Sequence, residues 1–184
     1  MSVEDRQKII ERLNYAVSLF VENVDPRLIP EVGTNIVFAL PSAKDIEDVA
    51  GVVGRIVKMR ATIHPVGAIE FGGSNHMARV VLTAMNFDSS IRSAANILFS
   101  EKIIVILDDL LFDICSFERT KEPPGIKTMD WGVASCCKNG VPDVIFDRGS
   151  QGKEPMIRLL GEDPVSVSQN IIKISNRCRN IELM

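Results

Sequence analysis

The sequence predicts an α/β domain built on a mixed sheet with helices on both faces. Three observations lead there. Amphipathic helical patterns open and close the chain. Short β-branched runs alternate with further helical stretches between them. Hairpin-type and crossover-type connections both occur, which a purely parallel, doubly wound sheet would not combine. A length of 184 residues with 46% apolar content suits one hydrophobic core, so residues 1–184 are expected to form a single domain.

Residues 3–22 set Ile9, Ile10, Leu13, Ala16, Val17 and Phe20 at helical spacing, with charges on the other side. "DPRLIPEVG" breaks this helix, and "TNIVFAL" reads as a short buried strand ending at Pro41. "SAKDIEDVAG" is expected to be helical, with Ser42 as N-cap, acidic early turns and Gly51 or Gly54 at its end. The β-branched and basic mixture of "RIVKMRATIHPVG" suits a strand. "AIEFGGSNHMARVVLTAMN" runs from strand through Gly72-Gly73 into a helix with Ser74 as its natural N-cap. "DSSIRSAANILF" is expected to be another helix, started by Asp88 or Ser89. Residues 101–111 have a strand-like Ile/Val run, but Ser100 as a cap favours helix, with "FDICSFER" as the following strand. "EPPGIKTMDWGVASCCKNG" holds a Pro-rich loop and a helix stopping at Asn139-Gly140. "PDVIFDRGSQGKEPMIRLLG" reads as two strands joined by a Gly-rich loop, and "EDPVSVSQNIIKISNRC" as a closing helix with Pro164 in its first turn.

A formal charge of −3 and a pI near 5.5 argue against a general nucleic-acid binder, which needs a basic surplus on one face. No apolar run approaches the roughly 20 residues that span a bilayer, and the first charges are not followed by a signal-peptide core. A cytoplasmic setting without membrane contact is therefore expected. Cys115, Cys136, Cys137 and Cys178 show no C-x-x-C pair and are expected to be buried free thiols. Two histidines, His64 and His76, are few for a zinc site.

The strand, Gly-Gly-Ser turn and helix at residues 68–86 could hold an anion, because a helix start presents unpaired N–H groups. Such turns are also common as plain structure. His76 falls in the first turn of that helix, near any anion bound there. Arg55 follows Gly54 and offers a planar fork to phosphate oxygens. Lys58, Arg60, Arg79 and Arg92 have less local context, and a solvated arginine or ion pair is the plain alternative for each. Gly149 and Gly152 flank a polar turn followed by Lys153 and Glu154, a loop able to close over a substrate or merely to join two strands. "SFERTKEPPG", with Glu118, Arg119, Lys121 and Glu122, reads as a solvated charge run. Glu31, Thr34 and Asn35 lie between two apolar runs as pocket groups or turn formers.

The phrases "LIPEVGTNIVFA", "DVAGVVGRIV", "FGGSNHMARVVL", "RSAANI", "TMDWGV" and "PDVIFDRGSQGKEPMI", in this order and followed by an amphipathic helix, resemble the ThiN-type thiamine-phosphate synthase domain. The resemblance runs from about residue 6 to residue 176. It implies a three-layer α/β/α domain with a mixed, largely antiparallel sheet similar to class II aldolase-like domains. It also implies coupling of hydroxymethylpyrimidine diphosphate to hydroxyethylthiazole phosphate, giving thiamine monophosphate and pyrophosphate. The family's essential arginine and histidine fall on Arg55 and His76. Asn35, Gly73, Ser74, Asn75, Asn96, Gly152 and Lys153 are expected to bind substrate. Mg²⁺ on the diphosphate is expected, with no carboxylate cluster to mark its site. A homodimer, and fusion to a pyrimidine kinase in a longer protein, follow from the same resemblance. Its regulatory relatives sense thiamine phosphates without catalysis, and that is the alternative function. An aldolase or epimerase activity rests on fold analogy alone.

Overall fold

The computed structural model describes residues 3–121, 128–179 and 181–183. Its elements are α1 (Val3–Asn23), β1 (Ile36–Ala39), β2 (Val49–Val52), β3 (Ile56–Met59), β4 (Thr62–Pro65), β5 (Ile69–Phe71), α2 (Asn75–Met85), β6 (Ser93–Leu98), α3 (Glu101–Asp109), β7 (Ile114–Ser116), α4 (Thr128–Cys136), β8 (Val144–Asp147), β9 (Met156–Gly161) and α5 (Pro164–Cys178). Seven strands form one sheet in the order β5-β2-β1-β6-β9-β8-β7, while β3 and β4 pair in a separate hairpin. Within the seven-stranded sheet every pairing is antiparallel except β7 with β8. The mixed sheet is the one the sequence pattern predicts, and its mostly antiparallel pairing is what the family resemblance implies.

Alternation along the strands divides the core into two layers. In β1, Ile36 and Phe38 join the cluster formed with α1, α3 and α5, around Leu13, Phe20, Leu107 and Ile171. Val37 and Ala39 point into the second cluster, with Met77, Val80, Val81 and Ala84 of α2 and Val133 of α4. All four β1 residues are buried, as a central strand covered on both faces requires. The opening and closing helices pair, as their patterns predict: Ser168 Oγ of α5 donates to Ala16 O at 3.1 Å, and Arg12 bridges to Asp163, the N-cap of α5.

Two predicted helices are strands instead. In "DSSIRSAANILF", the Asp88 carboxylate accepts local bonds from Ser90 N and Ser90 Oγ, and Ser93–Leu98 becomes β6, paired with β1 on one side and β9 on the other. Small residues fit this doubly covered position, and ladder bonds on two sides override alanine's helix preference. In "SAKDIEDVAG", Asp45 rather than Ser42 is the cap. It starts only a single 3₁₀ turn, Ile46–Asp48, before β2 enters the sheet between β1 and β5. The one strand expected over "RIVKMRATIHPVG" folds back at Arg60, whose φ of 59° is left-handed, to give the β3–β4 hairpin.

The helix reading of residues 101–111 holds: Ser100 caps α3 by accepting from Lys102 N at 3.3 Å. The β7, β8, β9 and α5 readings hold as well. Helix α4 stops at Cys136, ahead of Asn139-Gly140, and Gly140 takes a φ of 121° in the turn that follows. The Pro-rich loop expected before it lies at residues 122–127, outside the described residues. The four cysteines are not all free thiols. Packing of α4 beside β7 brings Cys115 and Cys136 within 5.7 Å between Cα atoms, and they form a disulfide. Cys137 and Cys178 remain buried thiols, and burial pushes Cys137 up to about 11.

Candidate active site

Glycines bring the start of α2 against the sheet. A Cβ on Gly73 would lie 2.3 Å from Gly51 O, and one on Gly51 would lie 3.1 Å from Ser74 Cβ and from Val37 Cγ1. Only glycine at both positions lets the β5–α2 turn lie on β2. Ser74 takes the N-cap backbone conformation but makes no side-chain capping bond. The first N–H groups of α2 and the Ser74 hydroxyl therefore remain available to an anion.

Those groups open into a cleft of about 590 Å³ lined by Asn35, Gly54, Arg55, Gly73, Ser74, Asn75, His76, Arg79, Arg119 and Lys153. A smaller compartment of about 250 Å³ shares Asn35, Arg55, Ser74, His76, Arg119 and Lys153 with it and extends to Val32, Met77, Asn96, Gly152, Glu154, Met156 and Arg158. The nine residues expected to act on or bind substrate, Arg55 and His76 with Asn35, Gly73, Ser74, Asn75, Asn96, Gly152 and Lys153, thus line these two adjoining compartments, whereas Lys58, Arg60 and Arg92 line neither.

Their local roles differ. Arg55 follows Gly54 (φ 72°) and itself has φ 74°, a left-handed conformation that costs a non-glycine residue energy. Its guanidinium donates through Nη1 to Val32 O. Asn35 faces Val52 as a strand would: Nδ2 donates to Val52 O at 2.8 Å and Oδ1 accepts from Val52 N at 2.9 Å. Asn96 accepts from Asn35 N at 2.8 Å and donates to Gly33 O at 3.0 Å. Both amides are committed to backbone, so they brace the turn that carries Arg55. Gly152 (φ 72°) closes the tight turn between Ser150 and Lys153, which exchange two backbone bonds. Next to Lys153, the Glu154 carboxylate accepts from Glu31 N at 2.9 Å and Val32 N at 3.1 Å, tying the β8–β9 loop to the segment beneath Arg55.

Sequence reasoning missed the buried charges. Asp147 is completely buried and accepts from Arg119 Nε at 2.6 Å, Arg158 Nη1 at 2.8 Å and Gly149 N at 2.8 Å. Burial by itself would raise this carboxyl. Arg119's hydrogen bond and the charges of Arg158 and Arg119 hold it below the ordinary carboxylate range instead. Arg119, read from the sequence as part of a solvated charge run, has a side chain only 9% exposed. Arg158 had a signal: a charged residue inside the apolar strand "MIRLLG" must be paired or functional. Arg79 is held by Asp130 of α4 at 2.6 Å.

Burial and these charges together set the state of His76. Protein packed around the ring, followed by the charges of Arg158, Arg119 and Arg55, pushes it down to about 4, with Asp147 acting the other way. The side chain still has surface open to the cleft, and that surface governs what a ligand can touch. His76 is therefore reachable and neutral at pH 7, able to donate or accept one hydrogen bond. Among the described residues no group of three or more His, Cys, Asp or Glu is placed to hold a metal ion. Asp147, Glu154 and Asp130 are committed to arginines or backbone N–H groups, so these side chains do not fit a protein-held Mg²⁺.

Fold and cleft together define an α/β/α domain with a mixed, mostly antiparallel sheet and a cleft lined by Arg55, Arg79, Arg119 and Lys153. The fold is shared with YgbL of Escherichia coli, of the aldolase/epimerase/decarboxylase group, at a TM-score of 0.52 and 9% identity over 98% of this chain and 93% of that one. The family is narrower than the fold. The family model described as thiamine-phosphate synthase ThiN matches residues 12–173, and the chain belongs to that family of transferases. It is 35% identical over 189 residues to the thiamine-phosphate synthase ThiN of Methanothermobacter thermautotrophicus, covering 99% of this chain and 96% of the relative. It is 44% identical over 170 residues to the bifunctional thiamine biosynthesis protein ThiDN of Methanocaldococcus jannaschii, covering 91% of this chain and 40% of that protein. The chain thus spans well under half the length of this second relative. The crystal structure of the C-terminal domain of a phosphomethylpyrimidine kinase superposes with a TM-score of 0.85 at 42% identity, over 92% of this chain and 99% of that one.

Proposed function

We propose that this domain couples hydroxymethylpyrimidine diphosphate to hydroxyethylthiazole phosphate, releasing thiamine monophosphate and pyrophosphate. The observation that carries the reading is the meeting of Arg55, Lys153, Arg119 and the start of α2 around a neutral His76 in one cleft. Departure of the diphosphate builds negative charge on its oxygens and positive charge on the pyrimidine methylene carbon. Donors fixed where that negative charge develops lower the barrier most. Arg55 clamps the leaving diphosphate, and His76 with the α2 N–H groups donates to it or to the thiazole phosphate. The thiazole nitrogen is itself the nucleophile, so the reaction asks for no activated Ser or Cys. Mg²⁺ enters bound to the diphosphate, as part of the substrate. Gly73, Ser74 and Asn75 present the helix start to a phosphate, and Gly152 and Lys153 form the loop over it.

The domain works in the cytoplasm as a homodimer in this reading; among the described residues no helix is long and apolar enough to cross a membrane. In a longer protein it would sit beside a pyrimidine kinase, as the bifunctional relative's name suggests. The test is to incubate the chain with both substrates and Mg²⁺ and follow thiamine monophosphate as its fluorescent thiochrome. Arg55→Ala and His76→Ala are each expected to lower the rate by at least ~10²-fold, the loss seen when one transition-state donor is removed. A folded wild type that binds thiamine phosphates and makes none would leave the sensing function in its place.

A further inference from the structure

Asp147, Arg119 and Arg158 form one buried group in which a single carboxylate lies between two guanidinium ions. Asp147 and Arg158 are fully buried and Arg119 nearly so, so among the described residues one positive charge of the group has no counter-charge paired with it. Among the described residues, Arg158 Nε and Nη2 have no hydrogen-bond partner. Arg119 directs Nε and Nη2 to Asp147, with Nη2 also near Glu154 O, so Nη1 is the nitrogen not engaged in these bonds, on a residue that lines both compartments. The Phe117 ring, 5.8 Å from Arg158 Cζ, offsets little at that distance. An unbalanced buried cation with unmade hydrogen bonds is costly, and a protein that keeps one in a cleft wall has a place for an anion to complete it.

We propose that Arg119, Asp147 and Arg158 form an anion anchor in the cleft that receives a phosphoryl group of one of the two substrates. Arg119 touches the phosphoryl oxygens through Nη1. Asp147 and Arg158 are positioning residues: Asp147 fixes the plane of the Arg119 fork and, through Gly149 N, the base of the loop that carries Lys153. Arg158 keeps Asp147 charged and the group cationic. The anchor's existence follows from these contacts, whereas the identity of its ligand rests on the synthase reading.

Arg119→Ala separates the two, because it leaves Asp147 and Arg158 as a balanced pair that can still fold, which a thermal melt checks. Calorimetric titration would use inorganic pyrophosphate and inorganic phosphate as probes, beside the KM for each substrate. The variant is expected to weaken one probe and raise the matching KM by roughly 10- to 100-fold, the loss of one or two charge-assisted hydrogen bonds, with kcat changed less. Arg119→Lys should recover part of this. Weakened pyrophosphate binding assigns the anchor to the diphosphate, and weakened phosphate binding alone assigns it to the thiazole phosphate. Arg158→Met should weaken the same probe and move the acid limb of the pH–rate profile upward by removing a cation near His76, which loss of packing alone would not do. Unchanged affinities and KM values in a folded Arg119→Ala overturn the proposal. A wild type that makes no thiamine monophosphate but binds pyrophosphate through Arg119 overturns the synthase reading and keeps the anchor.

Discussion

On the β8–β9 side of the cleft, Arg119 and Arg158 share one buried carboxylate. On the β2–α2 side, Arg55 stands exposed on a left-handed turn with its guanidinium on a backbone carbonyl. Both sides present arginine to the same space, but they are held differently. A guanidinium locked by a carboxylate in low dielectric has its direction set before any ligand arrives. One on a solvated turn keeps its full charge for the substrate. Preorganisation belongs to the first side and responsiveness to the second, and neutral His76 lies between them.

The comparison breaks most sharply at Asp147. Asp147→Ala leaves two arginines buried side by side and should cost about 3–5 kcal/mol of unfolding free energy, measured by urea denaturation; a loss under about 1 kcal/mol would mean that Arg119 is not locked. The same carboxyl makes the β8–β9 side acid-sensitive. Its native pKa lies below the unfolded value, so its stabilisation is present above the unfolded value and disappears as pH falls through the native one. His76 gives the next test. Held at about 4, it stays neutral through mildly acidic pH, so the acid limb of kcat/KM belonging to this ring should lie near pH 4 rather than near the usual imidazole value. A limb near 6.5 would show that neither burial nor the arginines hold it down.

On the β2–α2 side, smaller changes in stability are expected. Arg55→Gly relieves the positive φ while adding backbone freedom to the unfolded chain, so stability should move by no more than about 1 kcal/mol although synthesis is lost. Thermal melts beside thiochrome assays compare the two. Ser74→Ala is the mildest change. With no capping bond to lose, it should cost less than about 0.5 kcal/mol, whereas Asp163→Ala, which removes a real cap from α5, should cost about 1 kcal/mol. A large loss from Ser74→Ala would mean that its hydroxyl serves the helix rather than a ligand.

The legible parts of this site were those whose chemistry lies in a local segment. The glycine turn, Ser74, His76 and the Gly152-Lys153 loop each declare themselves within a few residues. Arg119 did not, because its partner Asp147 is far along the chain and "SFER" looks like any charged loop. Asn35 and Asn96 are expected from the sequence to bind substrate, whereas their amides are engaged with the backbone of Val52 and Gly33, which only folding brings near.

By itself the sequence determined the mixed α/β architecture, the amphipathic helices at both ends, the β8–β9 hairpin and the family, because hydrophobic period, turn chemistry and motif order are local properties. Tertiary structure alone decided that "SAKDIEDVAG" and "DSSIRSAANILF" contribute strands, that Cys115 meets Cys136, and that one carboxylate gathers two arginines under the cleft. Each of these depends on a partner distant in sequence, and ladder bonds or burial supplied by that partner outweigh the preference a segment shows alone.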